Sequence, residues 1–455
     1  MLQQTSYSVG YFTNDAQIGR LFCTRGDGDM TAQVVLMNGL GIALASDSAV
    51  TSGGKVLNTS EKVYELALPH KIAILTSGRA SFMGFPWEVV FSAWYETLKS
   101  PLPTVIEYRE SLYKFLRTVL PAGGDLAPAE ADYLRSSYFG PSNAFSTASE
   151  ILSNIVVPAY EEILSPEQYA EFMNNGWSEE FRSEMTDLFP SGILPEIAAA
   201  FAEAEASRIE TFVAAPEVSL AQAQVWVEKY WKQTDSGPSE MDLKSWPVIP
   251  GLDEQIKHLW AVFVMHADYV GESNVNIVGY GSSDLFPSAA GVFFHGVVGG
   301  VLLKRFEGDI EPSNAPRHLF FAQSDAISAL FLGDDSLLTK TAVENTEKTL
   351  STIYDQLADS EDEQAKLARE YVSASLAKGD IADEMKRAGK ETRAEPFRKA
   401  IGMSPILDLA EFAAQLVGVQ AAYAAMTQEN PSVGGHVDLA VLSHRRGFEW
   451  IRHKN

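Results

Sequence analysis

Apolar positions run through this chain in two rhythms. Between Thr31 and Gly78, four short runs rich in aliphatic residues, AQVVLM, GIALAS, KVYEL and KIAILTSG, are separated by turn signals. Those signals are Asn38-Gly39, Gly53-Gly54 and Pro69. Apolar runs of this length bounded by turn residues predict strands, and Asn-Gly between the first two predicts a hairpin. The four are expected to start one sheet. From Ala80 to Lys99, bulky residues (Phe82, Trp87, Val90, Phe91, Trp94, Leu98) recur at helical spacing and predict a helix packed on that sheet.

From 101 to 255 the rhythm is helical. LPTVIEYRESLYKFLRTVL, STASEILSNIVVPAYEEIL, PEIAAAFAEAEASRIETFV and LAQAQVWVEKYWKQ each carry apolar residues three and four apart. Strand character is read again at HLWAVFVMHADY, NVNIVGYG and AAGVFFHGVVGGVLLKR. A short helix is predicted from Gln323 to Leu332, and charged helices with breakers at Gly379 and Pro396 fill 334–400. SPILDLAEFAAQLVGVQAAYAAM reads as a long, mostly buried helix, and GGHVDLAVLS with GFEWIRH as a closing hairpin. Strands thus begin and end the chain, which predicts one sheet assembled from distant segments. The expected parts are 1–30 as an upstream segment, a core from 31–100 and 256–335, and helical insertions at 101–255 and 336–400. A last core helix and hairpin follow at 401–455.

Composition narrows the class. Of 455 residues 46% are hydrophobic and 21% charged, enough apolar material for a large core. The formal charge is −25, which repels phosphate and argues against nucleic acid as a partner. Between 121 and 245 there are 21 acidic residues against 6 basic ones, so the first helical block is a solvated acidic surface or one that selects basic partners. With Cys23 alone, no disulfide forms within the chain and a cysteine zinc cluster is not expected. The most apolar window, Ala289 to Leu303, is 15 residues long, short of the roughly 20 that a bilayer needs. The first residues lack the basic start and apolar core of a secretory signal. A cytoplasmic protein that makes no membrane contact is expected.

The sharpest chemistry gathers near Thr31. A hairpin brings the end of its second strand back beside the start of its first, so Asp47 is expected next to Thr31. Lys62 opens the third run and reaches the same end of the sheet. Gly78 closes the fourth, where a small residue leaves a backbone N–H open to a ligand. A Thr hydroxyl attacks only once a base takes its proton. Were Thr31 the first residue, its own α-amine, with an ordinary pKa near 8, would be that base. A buried Lys62 would lower the pKa of the site and Asp47 would orient that lysine. The Gly78 N–H would meet the oxyanion of a tetrahedral intermediate. The same Asp47 and Lys62 are also what a purely structural ion pair holding the hairpin would look like.

The stretch MTAQVVLMNGLGIALASDSAVTSGGKVLNTSEKVYELALPHKIAILTSGRAS resembles the N-terminal part of proteasome-type β subunits and their bacterial relatives, including the ancestral-β-subunit (Anbu) group. These are N-terminal-nucleophile (Ntn) hydrolases. The shared pattern is Thr31, the strand end GIALASDS, Lys62 opening the next strand, and Gly78 before Ala80. The Thr-to-Asp spacing matches; the Thr-to-Lys spacing is one residue shorter, a loop deletion between Ala49 and Thr59. Ala49 stands where the family usually has Arg. The likeness covers 31–98, and more loosely 258–335 and 436–452.

The resemblance implies an α+β fold, a four-layer αββα Ntn-hydrolase sandwich with a large helical insertion. It implies a threonine peptidase or amidohydrolase acting on peptide or amide substrates, with no cofactor and no metal. It also implies a homo-oligomer and leaves an ATPase partner open. Thr31 is nucleophile and base, Asp47 and Lys62 tune it, and Gly78 supplies the oxyanion donor. The family's accessory Ser and Asp positions map to Ser324, with Asp325 beside it, and to Asn430 and Ser432 in QENPSVGG. Residues 1–30 are then a propeptide, or translation starts at Met30 and the methionine is removed. Two other readings stay open: a non-catalytic scaffold of the same fold, and an Ntn hydrolase of small amides. Elsewhere GYGSSD (279–284) reads as a turn, and His258 and His266 as packed or surface histidines. Arg445, Arg446, Arg452, His453 and Lys454 read as a solvated basic end.

Overall fold

The computed structural model describes residues 31–52, 55–57, 61–118, 128–139, 144–161, 165, 195–211, 218–233, 251–266, 273–333, 336–356, 362–378, 387–428 and 433–454. The chain is α+β, with two five-stranded antiparallel sheets. The first comprises β1 (Ala32–Asn38), β2 (Gly41–Asp47), β12 (Arg317–Ala322), β13 (Val437–Ser443) and β14 (Gly447–Arg452) in the order β12-β1-β2-β13-β14. The second comprises β5 (Val63–Leu66), β6 (Lys71–Gly78), β9 (Ser273–Tyr280), β10 (Ser288–Val298) and β11 (Val301–Ile310) in the order β11-β10-β9-β6-β5. Two small ribbons, β3 (Val50–Ser52) with β4 (Lys55–Leu57) and β7 (Ser81–Phe82) with β8 (Phe85–Pro86), complete the strands.

The four N-terminal runs are strands, but they do not start one sheet. The hairpin β1–β2 lies in the first sheet and the pair β5–β6 in the second. The reason is in the side chains. In β1, Val35 and Met37 meet Ala73 and Leu75 of β6 between the sheets, together with Leu44, Val278 and Leu442. The intervening Ala32, Val34 and Leu36 pack on the opposite face against Leu409, Ala413 and Val417. Both faces are buried, so each strand reads as a continuous apolar run with no alternation to mark its neighbours.

Helices cover the outer faces. Against the second sheet lie α1 (Trp87–Thr97) and α2 (Val105–Leu116), with Trp87, Phe91, Trp94, Tyr108 and Leu112 packed on Ile72, Ile74 and Ile277. Helix α2 starts where Thr104 Oγ1 accepts the Glu107 N–H, a first-turn cap spelled TVIE. It therefore belongs to the sheet's packing, although the sequence places it in the insertion that begins at 101. The helical block proper holds α3 (Pro128–Phe139), α4 (Ala144–Glu161), α5 (Pro195–Thr211), α6 (Leu220–Gln233) and α7 (Leu252–His266) around Trp260. Helix α7 corrects the strand read at HLWAVFVMHADY. Leu252, Ile256, Leu259, Trp260 and Phe263 are buried at helical spacing, and the apolar residues between them hide that period because neighbouring helices surround the segment.

After β12, Asp325–Ile327 forms a helical turn that continues in π form through Leu332. Helices α8 (Ser336–Gln356) and α9 (Glu363–Lys378) are largely exposed. Pro396 does not break the helix; it stands two residues after a π segment, Lys390–Ala394, that runs straight into α10 (Glu395–Met403). Helix α11 (Ile406–Thr427) lies on the first sheet through a row of small residues, Ala410, Ala413, Ala414 and Ala424. The approach is close enough that a Cβ at Gly41 would strike Ile406 and the Leu442 carbonyl. The run AAGVFFHGVVGGVLLKR is two strands rather than one, turned at Gly299-Gly300 with φ of 56° and 77°. Among the described residues no helix is long and apolar enough to cross a membrane.

Two buried histidines set an acid limit. Burial, with Arg305 nearby, pushes His295 down to about 3. Burial, with Arg398 and Arg317, pushes His318 down to about 4. Unfolded, both titrate near 6.5. Their contribution to stability is therefore present above pH 6.5 and lost as pH falls toward 4 and 3. Each histidine costs about 1.4 kcal/mol per pH unit within that window. His318 packs against Phe320 and Phe397, so Phe fits its site. In urea unfolding at pH 5, His318→Phe should recover about 2 kcal/mol of the stability lost relative to pH 7. An unchanged loss would mean His318 is already charged in the fold.

Candidate active site

Thr31 precedes β1 and is only 4% exposed. Its carbonyl accepts the Gln323 N–H at 2.8 Å, tying it to the end of β12, where Ala322 pairs with Ala32. The expected neighbour is in place. Asp47, the last residue of β2, accepts the Ala32 N–H on Oδ1 at 3.0 Å. The same Oδ1 takes the Lys62 ammonium at 2.9 Å, and Oδ2 takes the Gly434 N–H at 3.1 Å. Lys62 also donates to the Ala49 carbonyl at 2.6 Å. Lys62 and Asp47 are both nearly fully buried.

The electrostatics of this pair follow from its burial. Desolvation pushes the Asp47 carboxyl up, and the Lys62 charge with three donated hydrogen bonds pulls it back. Burial is the larger effect, so the carboxyl stands above its ordinary value, while the three donors favour its charged form. Desolvation pushes the Lys62 ammonium down, opposed by Asp47. A lysine so poised responds strongly to small changes in its surroundings.

The other expected residues fall as follows. Gly78 ends β6 with φ 76° opposite Ser273, at the end of the second sheet where the Lys62 carbonyl accepts the Thr76 N–H at 2.9 Å. Ser324 is buried one residue beyond Gln323, so it lies on the Thr31 side of the first sheet. Asp325 opens the short helix, whose Ala326 N–H donates to Gln420 of α11 at 3.0 Å. Asn430 and Ser432 lie outside the described residues, as do residues 1–30. Gly434, two residues beyond Ser432 along the chain, donates its N–H to Asp47.

A second cluster stands behind Lys62. Glu61, Asp438 and His453 bring their ligand atoms within 4.8 Å of one another, a spacing that would suit a metal. Lys454 already supplies the cation: its Nζ is 2.9 Å from Asp438 and 3.9 Å from Glu61. His453 faces Asp438 at 3.2 Å and stacks on Trp450. His453 and Lys454 are thus not a solvated end but a clamp beside the site. Arg452, by contrast, makes an exposed pair with Glu411. The segment GYGSSD is a turn closed by the Gly281 N–H on Asp284 at 2.9 Å. His258 pairs with Glu205 and Gln224 on the helical block.

The sequence matches no protein-family model and no curated protein.

Three residues of the site escaped the sequence reading. Gly434 and Gln323 act through backbone N–H groups, which leave no mark in residue type. Gln33 did leave one. It is the single polar residue in the run AQVVLM, and it is 1% exposed. A polar residue at a strand position whose neighbours are all buried is the signal that could have found it.

Proposed function

We propose that this chain is a hydrolase of the N-terminal-nucleophile class, a threonine-type amidohydrolase that cleaves peptide or amide bonds. The observation that carries the reading is the convergence of the Ala32 N–H, the Lys62 ammonium and the Gly434 N–H on Asp47, directly beside Thr31. Two facing antiparallel sheets with helices on both outer faces support a four-layer αββα sandwich of the Ntn type. The resemblance of 31–98 to proteasome-type β subunits supports the same reading. Where that family usually has Arg, Ala49 seats Lys62 through its carbonyl, so the departure leaves the lysine held. A homo-oligomer belongs to this reading, and the residues retained around Thr31 favour it over a non-catalytic scaffold.

In the mechanism the α-amine of an N-terminal Thr31 takes the hydroxyl proton as Oγ1 attacks the carbonyl carbon. The nearby Lys62 charge keeps that amine neutral at working pH, and Asp47 holds the lysine in place. The oxyanion formed is met by the Gly78 N–H. The ammonium then returns the proton to the leaving amine as the C–N bond breaks, which leaves an ester on Thr31. Water, deprotonated by the same amine, hydrolyses that ester.

The amine exists only if the peptide bond before Thr31 is absent, by propeptide removal or by a start at Met30 followed by methionine excision. Intact mass and N-terminal sequencing of protein made from its native locus should show a chain beginning at Thr31. A chain begun at Met30 should hydrolyse members of a peptide and amide panel faster than one begun at Met1. Native protein that begins at Met1, or a panel left untouched by both forms, overturns the reading.

A further inference from the structure

Gln33 occupies a position that the fold would fill more simply with an apolar side chain. Residues alternate across a strand, so Gln33 shares a face with Val35 and Met37, which lie between the two sheets. Instead of packing there, its amide bridges them. Nε2 faces Ser46 Oγ at 3.2 Å in its own sheet. It also faces the Thr76 carbonyl at 3.0 Å and the Lys62 carbonyl at 3.4 Å, both in the β5–β6 segment of the other sheet. Those carbonyls only accept, which fixes the nitrogen on their side. Oε1 is buried with no hydrogen-bond partner among the described residues. A half-satisfied buried amide is a poor structural choice, and such local conflicts concentrate where function demands them.

We infer that Gln33 is a positioning residue, holding the two sheets at the spacing that seats Lys62 on Asp47 beside Thr31. Lys62 is clamped at both ends. Its carbonyl faces the Gln33 amide, and its ammonium crosses back to Asp47 and Ala49. The bridge thus joins the strand that follows Thr31 to the residue whose charge sets the Thr31 amine. The inference rests on the proposed function, because positioning has meaning only if that amine acts.

Two variants test it in the full protein, read by hydrolysis and by NMR titration of lysine side chains. The Lys62 resonance is assigned by its loss in Lys62→Met. The groups acting on Lys62 are Asp47 on β2, Asp438 on β13 and Lys454 of the C-terminal segment. Gln33→Leu keeps the volume and removes the bridge, so Lys62 should loosen from Asp47 and titrate about one pH unit lower. Gln33→Met, of similar length but without the amide, should lower the Lys62 titration in the same way. In the Leu variant kcat should fall about 10- to 100-fold with KM within about twofold, since geometry and not substrate binding is lost. Lys62 titrating as in the unsubstituted protein in both variants would overturn the inference and leave Gln33 a structural tie. So would a fall in kcat matched by the fall in folded fraction. If Gln33→Leu does not fold, the downward shift in Gln33→Met decides. If the protein that begins at Thr31 hydrolyses nothing, the proposed function falls, while the titration still shows whether Gln33 seats Lys62.

Discussion

Thr31→Ala, in a chain that begins at residue 31, should lower hydrolysis by at least about 10³-fold, the scale on which losing a covalent nucleophile is felt. The substitution leaves the rest of the site standing. Asp47 is held by the Ala32 and Gly434 N–H groups and by Lys62, none of which uses the Thr31 side chain. The Thr31 carbonyl bond to Gln323 is likewise backbone. Melting temperature should therefore stay within a few degrees while activity disappears. Thr31→Ser keeps a hydroxyl next to the amine and should retain measurable activity. An Ala variant as active as the unsubstituted chain would remove Thr31 from the chemistry and leave the Asp47–Lys62 pair as a structural feature.

Lys62→Met should cost both activity and stability. Methionine has a similar unbranched stem but carries no charge, so the Asp47 carboxylate stays buried with the Ala32 and Gly434 N–H groups alone. Breaking a buried pair from one side costs about 3–5 kcal/mol, because the remaining charge is desolvated without compensation. The pH dependence has a definite sign. Burial already pushes the Asp47 carboxyl up and Lys62 opposes that, so removing Lys62 raises it further. The cost in the variant is therefore full above the new carboxyl value and shrinks as pH falls through it, since protonation removes the unpaired charge. Urea unfolding at pH 8 and pH 5 should show a larger deficit at pH 8. Adding Asp47→Asn to Lys62→Met should restore much of the stability and none of the activity. A single variant as stable and as active as the parent at pH 8 would show that Lys62 neither holds Asp47 nor tunes Thr31.

The contrast between these two residues shows where the sequence was informative. Thr31 and Asp47 sit at facing ends of one hairpin whose turn, Asn38-Gly39, is explicit in residue type. Local chemistry therefore predicts their approach. Lys62 was placed at the right end of its strand for the same local reason. The Gln33 bridge has no such local origin, because Lys62 and Thr76 lie 29 and 43 residues away in the other sheet. The error at α7 has the opposite origin. Its apolar surround is complete, so a buried helix and a buried strand share one pattern and periodicity cannot separate them.

By itself the chain determined the strand runs, the hairpins at both ends, the acidic helical block and the Thr31–Asp47 approach. Each of these follows from turn chemistry, side-chain period or charge within a short window. Only the tertiary structure decided that the N-terminal strands divide between two sheets, and that Gln33 bridges them. It alone brought Gly434, 387 residues along the chain, onto Asp47, and set the clamp of Glu61, Asp438, His453 and Lys454 behind Lys62. Such contacts form when packing closes very long loops. The entropy of that closure grows only slowly with length, so the partners of a buried polar group are chosen by the assembled core and not by nearness in sequence.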